Sequence, residues 1–191
     1  MRVLAVAGSL RRGSFNRALL KVAAEVAPQG MTVVEHAIDD LPMFNQDLEV
    51  AGDPPPVAAL KAAIAAADAL LLALPEYNHS VSGVAKNALD WASRRLPETR
   101  ATALAGKSVA LMSAGGSAGG VRAQEHAAMV LTKLDARLVD GPRVAVAQAR
   151  ARFDADGNLQ DAAVRAGVAA LMVALRDTVI AAAEPTTGEG S

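Results

Sequence analysis

The sequence predicts an α/β domain in which five parallel strands form one sheet between two layers of helices. Three observations lead there. Short, largely apolar runs at 3–7, 69–74 and 107–112 have the length of strands buried on both faces. Between them lie segments of helical spacing, such as Phe15, Ala18, Leu19, Val22 and Val26. Each of the three runs opens into a polar or glycine-rich loop, where open parallel sheets collect their ligands.

The first strand, Val-Leu-Ala-Val-Ala at 3–7, ends at Gly8 and reads as central. Helical spacing begins at Ser14 and is stopped by Pro28 and Gly30. Residues 32–37 are more polar and suit a strand near the sheet's edge. Residues 38–56 hold Pro42, Asn45, Gly52 and three consecutive prolines, so they read as irregular. A helix over 57–67 leads through Asp68 into the third strand at 69–74. After a polar loop at 75–82, a helix runs from about Gly83 to Arg95. The fourth strand, 107–112, opens into Ser-Ala-Gly-Gly-Ser-Ala-Gly-Gly at 113–120, and helix returns over 121–135. Residues 137–139 and 144–147 supply a fifth strand broken by Gly141 and Pro142. A turn at 154–158 and a helix over 161–183 complete a single domain, 1–183, with 184–191 as a flexible tail. Alternating strands and helices imply a parallel sheet covered on both faces, and ligand loops gathered at one edge suit the flavodoxin-like three-layer sandwich, whose strand order is 2-1-3-4-5.

A chain of 191 residues, 52% hydrophobic and 20% charged, builds one globular core. A net charge of −1 supplies no field for nucleic acid or an anionic membrane. With no cysteine, disulfides, thiolate metal sites and thiol redox chemistry are excluded, so redox activity requires a bound cofactor. The first apolar run is too short for a signal-peptide core, and no uninterrupted apolar stretch reaches the ~20 residues of a membrane span. The expectation is a cytoplasmic protein with no membrane insertion.

Two loops carry the chemistry. Gly-Ser-Leu-Arg-Arg-Gly-Ser-Phe-Asn at 8–16 places Ser9, Arg11, Ser14 and Asn16 just before a helix. Ser14 caps that helix, whose free N–H groups make an anion site, and Arg11 adds charge-assisted hydrogen bonds. Gly8 and Gly13 have the spacing of a Walker loop, but Ser14 stands where its lysine belongs. The G-x-G-x-x-G dinucleotide fingerprint is absent after the first strand, which leaves a mononucleotide with a terminal phosphate. In the second loop, Pro75 stiffens the strand exit, and Glu76, Tyr77 and Asn78 offer backbone N–H groups to a planar heterocycle. Opposite, Gly115, Gly116, Gly119 and Gly120 remove side-chain bulk so that backbone can approach such a ring. Three of the five aromatic residues, Phe15, Tyr77 and Trp91, fall in or beside these loops and mark an active site there.

The 8–16 motif, with Pro-Glu-Tyr-Asn-His-Ser-Val-Ser-Gly-Val-Ala-Lys-Asn-Ala-Leu-Asp-Trp at 75–91, resembles the NADPH-dependent FMN reductase family, in particular its quinone and chromate reductase branch. The likeness runs from Val3 to about Asp177. It implies FMN as cofactor, with Ser9, Arg11, Ser14, Phe15 and Asn16 around its phosphate. It places Pro75, Glu76, Tyr77 and Asn78 along the isoalloxazine, with Ser113, Gly115 and Gly116 at its far side. It further implies that NADPH or NADH gives hydride to the flavin N5 and that a small acceptor takes the electrons from the same face. Quinones, chromate, azo and nitro compounds and free flavin are the acceptors implied. No side chain is then catalytic, because the cofactor carries the chemistry. The family usually assembles as homodimers or homotetramers with the flavin near a subunit boundary. This chain departs at Ser82, where proline is usual, and at Val84 and Ala85, changes that would soften the loop. The alternative is a flavodoxin-type electron carrier without nicotinamide turnover.

Other residues have structural readings. His36, His79 and His126 lack ligand spacing, so no metal site is expected. Lys86 and Asp90 are placed to pair across a helical turn, and Trp91 suits packing or an interface. Arg122 and Glu125 read as a surface ion pair.

Overall fold

A computed structural model describes residues 1–96 and 100–184. Its elements in chain order begin with β1 (Arg2–Ala7), α1 (Phe15–Glu25), β2 (Thr32–Glu35), α2 (Gln46–Val50), α3 (Pro55–Ala65) and β3 (Ala69–Ala73). A small hairpin follows, β4 (Glu76–Tyr77) and β5 (Ser80–Val81), then α4 (Gly83–Ala92) and β6 (Ser108–Ala114). The chain continues through α5 (Val121–Lys133), β7 (Arg137–Leu138), β8 (Val144–Val146), α6 (Ala149–Arg152) and α7 (Ala162–Ala183). Of the expected tail, only Glu184 lies within the described residues.

The main sheet runs β2-β1-β3-β6-β7, all parallel, with β8 also on β6. This is the expected order, with one correction. The fifth strand is two strands laid end to end along β6: Arg137 and Leu138 beside Ser108 and Val109, then Val144 to Val146 beside Met112 to Ala114. Gly141 and Pro142 lie between these two pairings.

Alternation along the strands divides the core. Val3, Ala5, Leu71, Ala110 and Met112 pack with α1 and α7 through Leu19, Val22, Leu171, Met172 and Leu175. Leu4, Val6, Leu70 and Leu72 pack on the other face with Leu60 and Ile64 of α3, Leu89 of α4 and Leu131 of α5. Helix α7 is long and apolar enough to cross a membrane by length and composition, with mean hydropathy 1.7. One of its stripes, Val168, Leu171, Met172 and Leu175, is buried on the sheet, and Arg165 pairs with Glu25 at 2.8 Å.

Three short elements went unseen in the sequence. Helix α2 buries no residue, so no apolar periodicity announces it. Helix α6 spans only four residues, and the 76–81 segment, read as open loop, folds into the β4–β5 hairpin. Trp91 corrects the view that the aromatics gather at the site. It is fully buried, donates through Nε1 to the Pro42 carbonyl at 2.8 Å and meets Phe44 edge-on at 4.9 Å.

Candidate functional site

Register places the site. Ala7 of β1 lies beside Ala73 of β3, which lies beside Met112 of β6, so three strand tips end together. The Gly8 N–H donates to the Ala73 carbonyl and the Leu74 N–H to the Met112 carbonyl, each at 2.9 Å, carrying the pairing into the loops. An added Cβ at Gly8 would stand 3.0 Å from Ala85 Cβ and 3.1 Å from Pro75 Cδ, so glycine allows the first loop to pass this close.

A cleft of about 710 Å³ opens over these tips. Ser9, Arg11, Ser14, Phe15 and Asn16 from the first loop line it, as do Pro75, Glu76 and Tyr77 from the second. Gly115 and Gly116 complete the set, so ten of the twelve residues singled out from the sequence meet at one cleft. Two do not line it. Asn78 sits at the hairpin turn with φ 50°, and Ser113 is fully buried, its hydroxyl accepting from Gln124 Nε2 at 2.6 Å. Residues 148–151 form a wall that the sequence reading missed, and Gln148 and Ala149 donate their N–H groups to the Gly116 and Gly115 carbonyls at 2.8 and 2.9 Å. They follow directly on β8, so the rule that strand tips gather the ligand would have found them.

The first loop gathers hydroxyls and a guanidinium at the start of α1. Ser14 caps α1, accepting from the Arg17 N–H at 3.4 Å, and the buried Ser9 hydroxyl accepts from the Arg11 N–H at 3.4 Å. The Arg11 guanidinium lies over the Phe15 ring, 5.3 Å from its centroid, and Phe15 stacks on Phe153 at 5.2 Å. Asn16 plays a different part from the rest. Its side chain donates to the Ala114 carbonyl and accepts from the Ala114 N–H, both at 2.9 Å, stitching the helix start to the end of β6.

The glycines divide by role. Gly119 and Gly120 have φ of 64° and 92°, and an added Cβ would come within 2.7 Å of the Ala145 oxygen and 2.6 Å of Ser113 Cβ. Those two serve the turn. At Gly116 an added Cβ would meet nothing within 4 Å, and at Gly115 nothing nearer than 3.9 Å, so this pair leaves its side of the cleft bare.

Helix α5 holds the hairpin. The Arg122 backbone N–H donates to Glu76 Oε2 at 3.1 Å, and Arg122 Nη1 lies 3.5 Å from Glu76 Oε1 and 2.9 Å from His79 Nδ1. Ser80 Oγ and His126 Nδ1 are 2.9 Å apart. Burial pushes the Glu76 carboxyl up, but the Arg122 N–H, the His79 ring and the Arg122 guanidinium together hold it below the ordinary carboxylate value. Arg122 thus serves the hairpin rather than Glu125, which pairs with Arg143 at 3.3 Å. Lys86 and Asp90 do pair, at 2.6 Å.

Ser82 fastens the loop it was expected to soften. Its buried hydroxyl donates to the Gly8 carbonyl at 2.6 Å and accepts from the Ala85 N–H at 3.4 Å, joining the first loop to the start of α4.

The residues fit FMN: hydroxyls, a guanidinium and a helix N-terminus suit a phosphate, and the side-chain-free Gly115–Gly116 backbone, lining the same cleft as Pro75 and Tyr77, suits a flat ring. A mononucleotide cleft over the tips of a 2-1-3-4-5 sheet defines a flavodoxin-like nucleotide-binding protein. Residues 1–151 match the family model of the NADPH-dependent FMN reductases, and the chain belongs to that family. It is 43% identical over 162 residues to an NAD(P)H-dependent FMN reductase of Pseudomonas aeruginosa, covering 84% of this chain and 85% of the relative. It is 40% identical over 182 residues to a probable NADPH:quinone oxidoreductase of Oryza sativa, covering 92% and 87%. Among solved structures, a flavoenzyme NAD(P)H:(acceptor) oxidoreductase of Paracoccus denitrificans superposes with TM-score 0.79 at 30% identity, covering 92% and 97%.

Proposed function

We propose that this chain is an FMN-dependent NAD(P)H oxidoreductase that passes two electrons to small acceptors of the quinone class. The observation that carries this reading is the in-register convergence of three strand tips into one cleft lined by the hydroxyls and guanidinium of the first loop and by bare glycine backbone. Relatives named FMN reductase and quinone oxidoreductase support it.

Bound FMN supplies hydride and electron chemistry that side chains lack. The chain's own residues bind and orient. Ser9, Arg11, Ser14 and the first N–H groups of α1 hold the phosphate. Pro75, Glu76 and Tyr77 form the wall along the ring, with Asn78 at the hairpin turn, and Gly115 and Gly116 face it from the other side. Ser113 supports that side from behind through Gln124. Tyr77 is 53% exposed at the mouth, where it limits which acceptors approach. Asn16 and Ser82 fix the two loops, so the donors are in place before a ligand enters.

The enzyme works in the cytoplasm, where reduced nicotinamide nucleotides are made, as a homodimer or homotetramer. The exposed apolar side chains of Met43, Leu48 and Val50 support self-association. The test is a visible spectrum of the purified protein, then stopped-flow mixing with NADPH or NADH and an acceptor panel of quinone, chromate, azo dye, nitro compound and free flavin. Rapid bleaching by nicotinamide and reoxidation by quinone support the enzyme. Bound flavin that no nicotinamide reduces would mark an electron carrier, and a protein that takes up no FMN would overturn both.

A further inference from the structure

Just past β8 the backbone takes up a strained shape beside the cleft. Gln148 has φ 50° and ψ 45°, in the left-handed region, immediately before the start of α6 at Ala149. A residue with a Cβ carries a steric penalty there, because that atom crowds the following carbonyl. Such strain persists where surrounding structure demands it, often at a ligand site. The Gln148 side chain does not explain it, being exposed and making no cap on α6.

The backbone does. A left-handed residue followed by a helical one turns two successive N–H groups to the same side. Both donate here to one short stretch of chain, Gln148 to the Gly116 carbonyl at 2.8 Å and Ala149 to the Gly115 carbonyl at 2.9 Å. The Gly115 N–H donates back to the Val146 carbonyl at 3.1 Å. Three bonds therefore clamp the two glycines that leave the cleft bare. Glycine needs such a clamp, since without a Cβ it has the widest backbone freedom of any residue. Gly116 is exposed, and an added Cβ there would meet nothing within 4 Å, so packing does not hold it. A ring binding against loose backbone would have to order it first, which weakens binding.

We propose that Gln148 is a positioning residue, whose left-handed backbone holds the Gly115–Gly116 segment in the shape that receives the flavin ring. It acts through the glycines, and its amide side chain takes no part. This role rests on the FMN reading of the cleft and adds to it a residue that touches no reacting atom.

The test compares Gln148→Gly, Gln148→Asn and Gln148→Val, with retention of FMN and of riboflavin by the loaded full-length protein measured by equilibrium dialysis. Glycine and asparagine accept positive φ, whereas β-branched valine resists it. The glycine and asparagine variants should hold FMN within about threefold of wild type, and the valine variant roughly tenfold or more weakly, the scale of that steric penalty. Riboflavin lacks the phosphate and reads the ring side alone. The valine variant should lose the same factor for both ligands, leaving the wild-type ratio of FMN to riboflavin affinity intact. A tenfold loss in the glycine variant would overturn the proposal, because the amide side chain would then be the ligand, and this outcome is readable even if the valine variant does not fold. A valine variant as tight as wild type would overturn it too. So would one that loses FMN more than riboflavin, since the damage would then have spread to the first loop. A wild type that binds neither flavin would refute the FMN reading of the cleft, and this role with it.

Discussion

Ser82 offers the sharpest test of how the site is held. Ser82→Ala removes a buried hydrogen bond to the Gly8 carbonyl, at 2.6 Å, and the hydroxyl cap on α4. A neutral hydrogen bond contributes about 0.5–1.5 kcal/mol and a cap about 1 kcal/mol, so the loss should be about 1.5–2.5 kcal/mol. For a domain of this size that lowers Tm by roughly 3–10 °C. Ser82→Pro loses the same bonds, but Ser82 already has φ −62° and ψ 147°, and Val81 before it is extended. Proline fits that backbone and recovers about 0.4–1 kcal/mol by restricting the unfolded chain. The expected order of stability is wild type, then proline, then alanine, read by urea denaturation of the FMN-loaded protein. An alanine variant within 0.5 kcal/mol of wild type would refute the claim that this hydroxyl fastens the first loop.

Three further outcomes follow from the geometry. Arg11→Ala should weaken FMN retention by about 1.5–3 kcal/mol, the loss of one charged hydrogen bond, measured by equilibrium dialysis; unchanged affinity would give the first loop another role. Gly120→Ala should destabilise the fold by about 2 kcal/mol or more, since φ 92° strains any side chain and the new Cβ would stand 2.6 Å from Ser113 Cβ, whereas Gly116→Ala should leave stability alone and obstruct flavin binding. Glu76 has a folded pKa below its unfolded value, so its contribution is complete above the unfolded value, near pH 4.5, and is lost as pH falls through the folded one. Wild type should therefore exceed Glu76→Gln in stability at pH 7, and the gap should close on acidification below that point; denaturation curves at both pH values check the sign.

The strands and the convergence of their loops were legible because buried parallel strands announce themselves as apolar runs, and 3–7, 69–74 and 107–112 all do so. Strand order came with the flavodoxin-like layout, since right-handed connections alone also allow other doubly wound orders. What escaped depended on tertiary partners. The 76–81 hairpin has two-residue strands, and its place is fixed by Arg122 and His126 on a helix some forty residues away. The role of Asn16 was hidden for the same reason, since its amide partner, Ala114, is 98 residues distant. Gly115 and Gly120 look alike in sequence, yet only the backbone angle and the proximity of Ser113 separate the open cleft from the turn. Gln148 adopts φ 50°, a conformation that its side chain does not advertise.

The first two turns of α5 grip three separate parts of the molecule: Arg122 the hairpin strand at Glu76, Gln124 the end of β6 and the Val144 carbonyl, and His126 the return strand at Ser80. Anyone redesigning the mouth of this protein would find that a substitution on that helix shifts the roof and the back of the chamber at once. Tyr77, half in water at the hairpin's rim, is the handle that turns alone.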